Sequence, residues 1–100
     1  MSTDILRETK PPTLFFVEAA EAKDVPSLID VRPPDAYEKE HLPNASTNIP
    51  FGQVADRIEQ IPHDAVLICQ SGQTSSFIAG LLSGKGRKVR VVKGGMNALK

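Results

Sequence analysis

Short apolar runs alternate with amphipathic stretches along the chain from about residue 13. Ala65–Ile68 is continuously apolar, which is typical of a strand that is buried on both faces of a parallel sheet. Three further runs predict short strands, because each of them ends close to a proline or a glycine. These runs are Ser27–Val31, Ser46–Ile49 and Val89–Val92.

Three stretches between these runs have helical character. The first is short and extends from Asp35 to about Glu40. Each of the other two carries a stripe of apolar residues at helical spacing, and they end at Pro62 and at Gly84 with Gly86. The stripes are Phe51, Val54, Ala55 and Ile58 in the second stretch, and Phe77, Ile78, Leu81 and Leu82 in the third. Alternation of strands and helices predicts an α/β fold, an open parallel sheet flanked by helices on both faces.

The length of the chain, 100 residues, suffices for one hydrophobic core. We predict a single domain over residues 13–100, preceded by a flexible segment over residues 1–12 that ends in two prolines. The N-terminus lacks the pattern of a secretory signal, and the longest apolar run, Ala65–Cys69, is far shorter than the roughly 20 residues of a membrane span. We therefore expect a cytoplasmic protein that has no membrane partner.

The formal net charge of zero conceals two oppositely charged halves. Residues 1–64 hold all twelve acidic residues and six of the basic ones, a net charge of −6, whereas residues 65–100 hold six basic residues and no acidic one, a net charge of +6. The basic half has no dense run of positive charge, and Phe77 is its one aromatic residue, so a nucleic-acid partner is not expected. This charge distribution implies only a weak positive electrostatic field around the second half of the chain.

Cys69 is the single cysteine, which excludes an internal disulfide, and with two histidines beside it a structural zinc site is not expected. It follows the most apolar strand and precedes a polar loop and a predicted helix, for which Thr74 or Ser75 would be the N-cap. Backbone N–H groups and the helix N-terminus favour a thiolate there. Cys69 is then a nucleophile or part of an anion pocket; the alternative is a small buried hydrophobic residue.

Five groups of residues, in this order, resemble the rhodanese homology domain, the fold of thiosulfate and mercaptopyruvate sulfurtransferases. They are Leu28-Ile29-Asp30-Val31-Arg32, Tyr37 with His41-Leu42-Pro43-Asn44-Ala45, Asn48-Ile49-Pro50, the loop that begins at Cys69, and Gly94-Gly95-Met96-Asn97-Ala98. The resemblance runs from about Leu28 to the C-terminus. It implies a parallel sheet flanked by helices, in agreement with the alternation of elements.

The resemblance also implies a function. Cys69 would accept a sulfane sulfur as a persulfide and pass it to a thiol or to a nucleophile such as cyanide. Asp30 and Arg32 would support the site from below. The implied partners are a small sulfur donor (thiosulfate, mercaptopyruvate or polysulfide) and a thiol or protein acceptor, without cofactor or metal; the oligomeric state stays open. The loop that lines the site would comprise Gln70, Ser71, Gly72, Gln73, Thr74 and Ser75.

The chain departs from the family pattern at several positions. Many relatives that use thiosulfate have a basic residue in the loop, whereas this loop is neutral. Lys93, Arg87 or Lys88 could supply charge from outside it, and the favoured alternative for each is a solvent-facing side chain. Glycines that often precede the His41 and Ala45 positions are replaced by Glu40 and Asn44, so the helix before His41 is expected to end differently.

Two alternatives to sulfur transfer are a cysteine phosphatase and a catalytically idle domain. A related cysteine phosphatase would need a longer loop that ends in an arginine, and this chain has neither. A catalytically idle domain that binds a protein partner or senses redox state is the alternative to sulfur transfer, although such domains usually lose the cysteine.

Overall fold

The computed structural model describes residues 14–26 and 28–99, so the predicted flexible segment over residues 1–12 lies outside the described residues. Five parallel strands form one sheet in the order β1-β5-β4-β2-β3. The strands are β1 (Phe15–Val17), β2 (Leu28–Asp30), β3 (Thr47–Asn48), β4 (Val66–Ile68) and β5 (Arg90–Val92). The α-helices are α1 (Pro34–Lys39) and α2 (Gln73–Gly84), and the 3-10 helices are Ala19–Asp24, Phe51–Gln53, Ile58–Gln60 and Gly95–Leu99.

The hydrophobic core has two halves, one on each face of the sheet. Successive side chains of a strand point to opposite faces, so Leu67 packs with α2 residues such as Ile78, whereas Val66 and Ile68 pack with Ala22 of the Ala19–Asp24 helix. All three residues of β4 are buried. The predicted parallel sheet with helices on both faces is therefore confirmed.

The edge strand β1 was not predicted from the sequence. It pairs with β5 alone, with Phe16 opposite Val91. Its burial pattern is also atypical, because Phe15 and Phe16 are largely exposed and only Val17 is buried. The Phe15 ring lies under the Lys88 ammonium, which is 4.5 Å from the ring centroid, and this contact covers part of the exposed edge.

The predicted helix over residues 51–58 is wrong. Two short 3-10 helices joined by turns occupy this stretch. The backbone N–H of Arg57 donates to both the Gln53 and the Val54 carbonyls, at 3.0 and 3.2 Å, and Arg57 then leaves the helical conformation (φ −117°, ψ 23°). Of the predicted stripe only Val54 is buried, while Phe51 stays 47% exposed.

Helix α2 exists as predicted, but its buried face differs from the predicted stripe. Phe77 and Leu81 are 58% and 50% exposed. The residues that face the sheet are spaced i, i+3, i+4 and i+7 and include a hydroxyl. They are Ser75, Ile78, Ala79 and Leu82.

The segment after α1 is fixed by side-chain hydrogen bonds to the backbone. The Tyr37 hydroxyl donates to the Ala45 carbonyl at 2.6 Å, and the Tyr37 ring stacks on His41 with centroids 3.8 Å apart. The Asn44 amide donates to the carbonyls of Ala22 and Val25, at 2.8 and 2.7 Å. Glu40 ends α1 in an extended conformation (φ −166°), so no glycine is needed there.

Among the described residues, none of the helices combines the length and the apolar character that crossing a membrane requires.

Candidate active site

The candidate site lies at the edge of the sheet where the parallel strands end. Cys69 directly follows β4, and Val31 with Arg32 follows β2, the neighbouring strand. Phe51 comes shortly after β3, the next strand in the sheet. Carboxyl ends of parallel strands meet at one edge, where open α/β sheets bind their ligands. Residues from three separate segments of the sequence are thereby brought together.

The Cys69 sulfur accepts hydrogen bonds from backbone N–H groups of its own loop. The backbone N–H groups of Gly72 and Ser75 donate to Sγ, at 3.0 and 3.3 Å. The thiol itself lies 3.3 Å from the Ser75 hydroxyl oxygen, and that hydroxyl also lies 3.3 Å from the Gly72 carbonyl, to which it donates. Cys69 is 3% exposed and Ser75 is fully buried. Two backbone N–H donors aimed at one sulfur stabilise negative charge on it, and the Ser75 hydroxyl accepts from the thiol.

The N-cap of helix α2 lies two or three residues earlier than predicted. Gly72 is the N-cap, with a left-handed backbone (φ 94°) that places its N–H toward Sγ, and α2 begins at Gln73. The prediction of Thr74 or Ser75 as N-cap is wrong, because the Ser75 hydroxyl points to Cys69 instead. The hydroxyl of Ser71 accepts from the Gln73 N–H at 3.3 Å.

The turn after β5 supports the loop from the opposite side. The Met96 N–H donates to the Cys69 carbonyl and the Asn97 N–H to the Gln70 carbonyl, both at 2.9 Å. Gly95 lies so close to these two carbonyls that a Cβ there would overlap the Cys69 oxygen and approach Gln70 to 2.8 Å. This close approach explains physically why a glycine stands at this turn.

Asp30 and Arg32 form an ion pair beneath the site. The Arg32 Nε and Nη2 donate to the Asp30 carboxylate at 2.7–3.1 Å, and Nη2 also donates to the Glu40 carbonyl at 2.6 Å. Asp30 is fully buried and Arg32 is 7% exposed. The hydrogen bond to Asp30 raises the pKa of Arg32. The pair fixes the backbone after β2, since Asp30 also accepts from the Arg32 N–H at 3.0 Å.

The Gln70 side chain separates two cavities at this edge. Its amide nitrogen donates to Asn97 Oδ1 at 2.7 Å, and its amide oxygen lies 3.5 Å from Arg32 Nη1. One cavity, of about 420 Å³, has a mixed polar and apolar wall and is lined partly by Lys39 and His41. The other, of about 440 Å³, contains Cys69 in its wall. Gln70 and Arg32 line both cavities.

The cavity that contains Cys69 has a mostly apolar wall. Besides Cys69, Gln70 and Arg32 it is lined by Val31, Pro33, Pro34, Pro50, Phe51, Gly52 and Thr74. The sequence did not identify Phe51 as a site residue, because its spacing assigned it to the apolar stripe of a predicted helix. The available signal was its position immediately after Pro50, at the carboxyl end of a strand adjacent to β2.

The basic residues of the second half lie mostly away from this site. Arg87 and Lys88 precede β5 and therefore lie at the amino ends of the strands, opposite the edge that holds Cys69. Arg87 donates to the Ile61 carbonyl at 2.9 Å, and Lys88 lies 4.0 Å from the Asp64 carboxylate. The suggestion that either residue supplies charge to the loop is wrong. Lys93 follows β5 on the side of Cys69 and is exposed.

Within residues 14–26 and 28–99, no group of three or more His, Cys, Asp or Glu side chains is placed to hold a metal ion.

Comparison with known proteins agrees with the sequence resemblance. The model of the Rhodanese-like domain matches residues 16–100. A tRNA sulfurtransferase of Thermoplasma acidophilum is 37% identical over 59 residues, which are 59% of this chain and 12% of that protein. The chain spans less than half of the length of the curated relatives it matches.

Two solved structures share the fold. The crystal structure of reduced CoADR-RHD from Bacillus anthracis is 32% identical with a TM-score of 0.74, and the match covers 86% of this chain and 16% of that one. The crystal structure of a rhodanese-related protein from Thermoplasma volcanium is 26% identical with a TM-score of 0.73, and the match covers 85% of this chain and 89% of that one.

Proposed function

The chain belongs to the Rhodanese-like domain family, and on that premise we propose that it is a sulfurtransferase. In this proposal Cys69 takes a sulfane sulfur from a donor, holds it as a persulfide and passes it to a thiol or to a nucleophile such as cyanide. The observation that carries the proposal is the placement of Sγ, which accepts two backbone N–H groups and opens on a cavity.

The reaction needs two displacements at sulfur. The Cys69 thiolate attacks the sulfur that is transferred, the bond from that sulfur to the rest of the donor breaks (sulfur–sulfur in thiosulfate and polysulfide, carbon–sulfur in mercaptopyruvate), and its electron pair leaves with the remaining group. The transferred sulfur is then bonded to Sγ. An acceptor attacks this outer sulfur, and the electron pair of the second bond returns to Sγ as a thiolate.

The loop geometry supports both displacements. The N–H groups of Gly72 and Ser75 stabilise the thiolate before attack and again when it is released. The fully buried hydroxyl of Ser75 has one proton and two neighbours, Sγ and the Gly72 carbonyl, both at 3.3 Å. It donates to Sγ when the sulfur is charged and to the carbonyl when the sulfur carries a proton.

The proposal also names the type of sulfur acceptor and the cellular compartment of the domain. A relative with a matching segment is named a tRNA sulfurtransferase, which supports sulfur transfer as the type of reaction. The acceptor here is a thiol, on a small molecule or on a protein. A lone thiol nucleophile works best where thiols stay reduced, so we place the domain in the cytoplasm.

Intact-mass spectrometry tests the proposal directly. The protein is incubated separately with thiosulfate, mercaptopyruvate and polysulfide, and the Cys69→Ser variant is treated in parallel. We expect a gain of one sulfur atom with at least one donor, its absence in the variant, and its reversal by cyanide with release of thiocyanate. Circular dichroism of the variant checks that its fold is unchanged.

Two outcomes would contradict the proposal. A gain of sulfur that persists in folded Cys69→Ser would remove Cys69 from the mechanism. A folded wild-type protein that gains no sulfur from any donor would favour the idle module that binds a partner or senses redox state.

A further inference from the structure

The cavity above Cys69 differs in character from a site for a doubly charged donor. Most of its wall consists of carbon atoms from Val31, Pro33, Pro34, Pro50 and Phe51. Moving a charged group out of water and against such a wall is costly unless a counter-charge is present. The charge available inside the cavity therefore decides which donors enter.

Among the described residues that line this cavity, Arg32 is the one charged side chain. Its guanidinium is already paired, because Nε and Nη2 contact both oxygens of the buried Asp30 carboxylate and Nη2 also donates to the Glu40 carbonyl. Nη1 faces the Gln70 amide oxygen at 3.5 Å. The Asp30 carboxylate thus neutralises the positive charge of Arg32, and no net charge is left to hold an anion.

Phe51 closes the cavity with a large exposed apolar surface. Its backbone N–H donates to the Val31 carbonyl at 3.2 Å, and its ring packs edge-on against Phe77 with centroids 5.8 Å apart. The hydrogen bond fixes the backbone of Phe51, the ring contacts Phe77 on one side, and the residue remains 47% exposed. A surface held in this way is suited to contact an apolar group of a bound molecule.

We propose that this cavity selects organic persulfides with an uncharged, apolar substituent over charged donors such as thiosulfate, and that Phe51 is the residue that contacts the substituent. This inference rests on the proposed function and names its donor class. In the step, the Cys69 thiolate attacks the outer sulfur of R–S–SH. The donor's sulfur–sulfur bond breaks, R–S⁻ departs with the electron pair, and the proton stays on the transferred sulfur as Cys69–S–SH.

The test compares two persulfides that have the same reactive group and differ in charge, propyl persulfide and 2-carboxyethyl persulfide. Second-order rate constants for the gain of one sulfur on Cys69 are measured by rapid quench and intact mass. Since burial of one group discriminates by roughly 10–200-fold, we expect propyl persulfide to react at least ~10-fold faster. Thiosulfate is measured alongside and is expected to be the slowest of the three.

Two variants assign the preference to the cavity. Phe51→Ala should reduce the preference for propyl persulfide to about 3-fold or less, because much of the apolar contact is lost. Phe16→Ala is the matched control, since Phe16 is 50% exposed and lies on the edge strand β1 outside the cavity. It should keep the wild-type preference. Phe51→Leu, which preserves an apolar side chain, should retain most of it.

A third variant tests the role of charge. Gln70→Arg adds a positive charge to the wall of the cavity, and it should raise the rate with 2-carboxyethyl persulfide and with thiosulfate relative to propyl persulfide.

The outcomes separate this inference from the proposed function. Equal rates with both persulfides in the wild type would overturn the selectivity, and a preference that survives in Phe51→Ala would overturn its assignment to Phe51; both outcomes leave sulfur transfer intact. No sulfur gain with either persulfide, while thiosulfate, mercaptopyruvate or polysulfide loads Cys69, would overturn the donor class alone. No sulfur gain with any of these donors would overturn sulfur transfer itself.

Discussion

The close contact between Gly95 and the Cys69 loop predicts that adding a single Cβ atom at this position disturbs the loop. Substitution Gly95→Ala adds one methyl group to a residue that has a left-handed backbone, φ 60°. The new Cβ would overlap the Cys69 carbonyl oxygen and approach the Gln70 carbonyl carbon and oxygen to 2.8 Å. All of these are backbone atoms, so they cannot move aside without moving the loop that holds the sulfur.

The expected cost has two parts. A left-handed backbone costs a residue with a side chain about 1–2 kcal/mol. If the loop shifts, the hydrogen bonds from Met96 and Asn97 to the Cys69 and Gln70 carbonyls are weakened, and their loss would cost about 0.5–1.5 kcal/mol each. We therefore expect Gly95→Ala to lower the free energy of unfolding by about 2–5 kcal/mol, a large part of the stability of a small domain.

Gly86→Ala is the matched control. Gly86 also has a positive φ, 79°, but nothing lies within 4 Å of the Cβ it would carry. The control should lose only the backbone part, about 1–2 kcal/mol, and should transfer sulfur at the wild-type rate. Because the displaced loop carries Sγ, Gly95→Ala should in contrast slow sulfur uptake by roughly 100-fold.

Urea unfolding followed by far-ultraviolet circular dichroism measures the stability of both variants, since the chain has no tryptophan to serve as a fluorescent probe. Sulfur uptake is measured by intact mass under conditions where both variants are folded. If Gly95→Ala is no less stable than Gly86→Ala and takes up sulfur at the wild-type rate, the turn does not support the loop and the reasoning is refuted.

Further predictions concern the sulfur, the ion pair and the turn after α1. Ser75→Ala should slow sulfur uptake about 10-fold or more, with a loss of stability of about 1 kcal/mol, because it removes the hydroxyl that accepts from the Cys69 thiol and would donate to the thiolate; wild-type uptake rates would contradict this. Asp30→Ala should destabilise the fold by about 3–5 kcal/mol in urea unfolding, since it leaves the Arg32 charge buried and unpaired; a loss below 1 kcal/mol would show that water solvates Arg32. Asn44→Ala should cost about 1–3 kcal/mol, because two carbonyls lose their donor; an unchanged urea midpoint would be the contrary result.

The elements that could be predicted from the sequence are those whose burial leaves a local pattern. Strand β4 is buried on both faces, so its run of apolar residues predicts it directly. Strand β1 could not be distinguished in this way, because two of its three residues are exposed and its one partner, β5, is remote in sequence. The apolar residues in 51–58 have helical spacing, yet Val54 is the one of them that is buried.

In the candidate site, too, the features set by local sequence could be predicted and those set by long-range contacts could not. The position of Cys69 after a buried strand, and of the loop before a helix, follows from local sequence. The contacts that fix this loop come from Gly95, Met96 and Asn97, which are separated from it by all of α2 and β5. Phe51 and Phe77 fit the helical spacing of apolar residues but are not part of the core. Phe51 lines the cavity that contains Cys69, and Phe77 packs against Phe51.

The strand order has a consequence for how the chain acquires its structure during synthesis. β5 lies between β4 and β1, so Phe15 pairs with Arg90 and cannot find its partner until β5 has been made. Until then β1 is unpaired, and one edge of the growing sheet is open beside β4. Parallel pairings that join remote segments fold slowly, because the intervening loop must be closed first. A ribosome-bound chain that stops before Arg90 therefore holds the nucleophile but not the sheet that positions it, and we expect the thiol to become reactive only after β5 has left the exit tunnel.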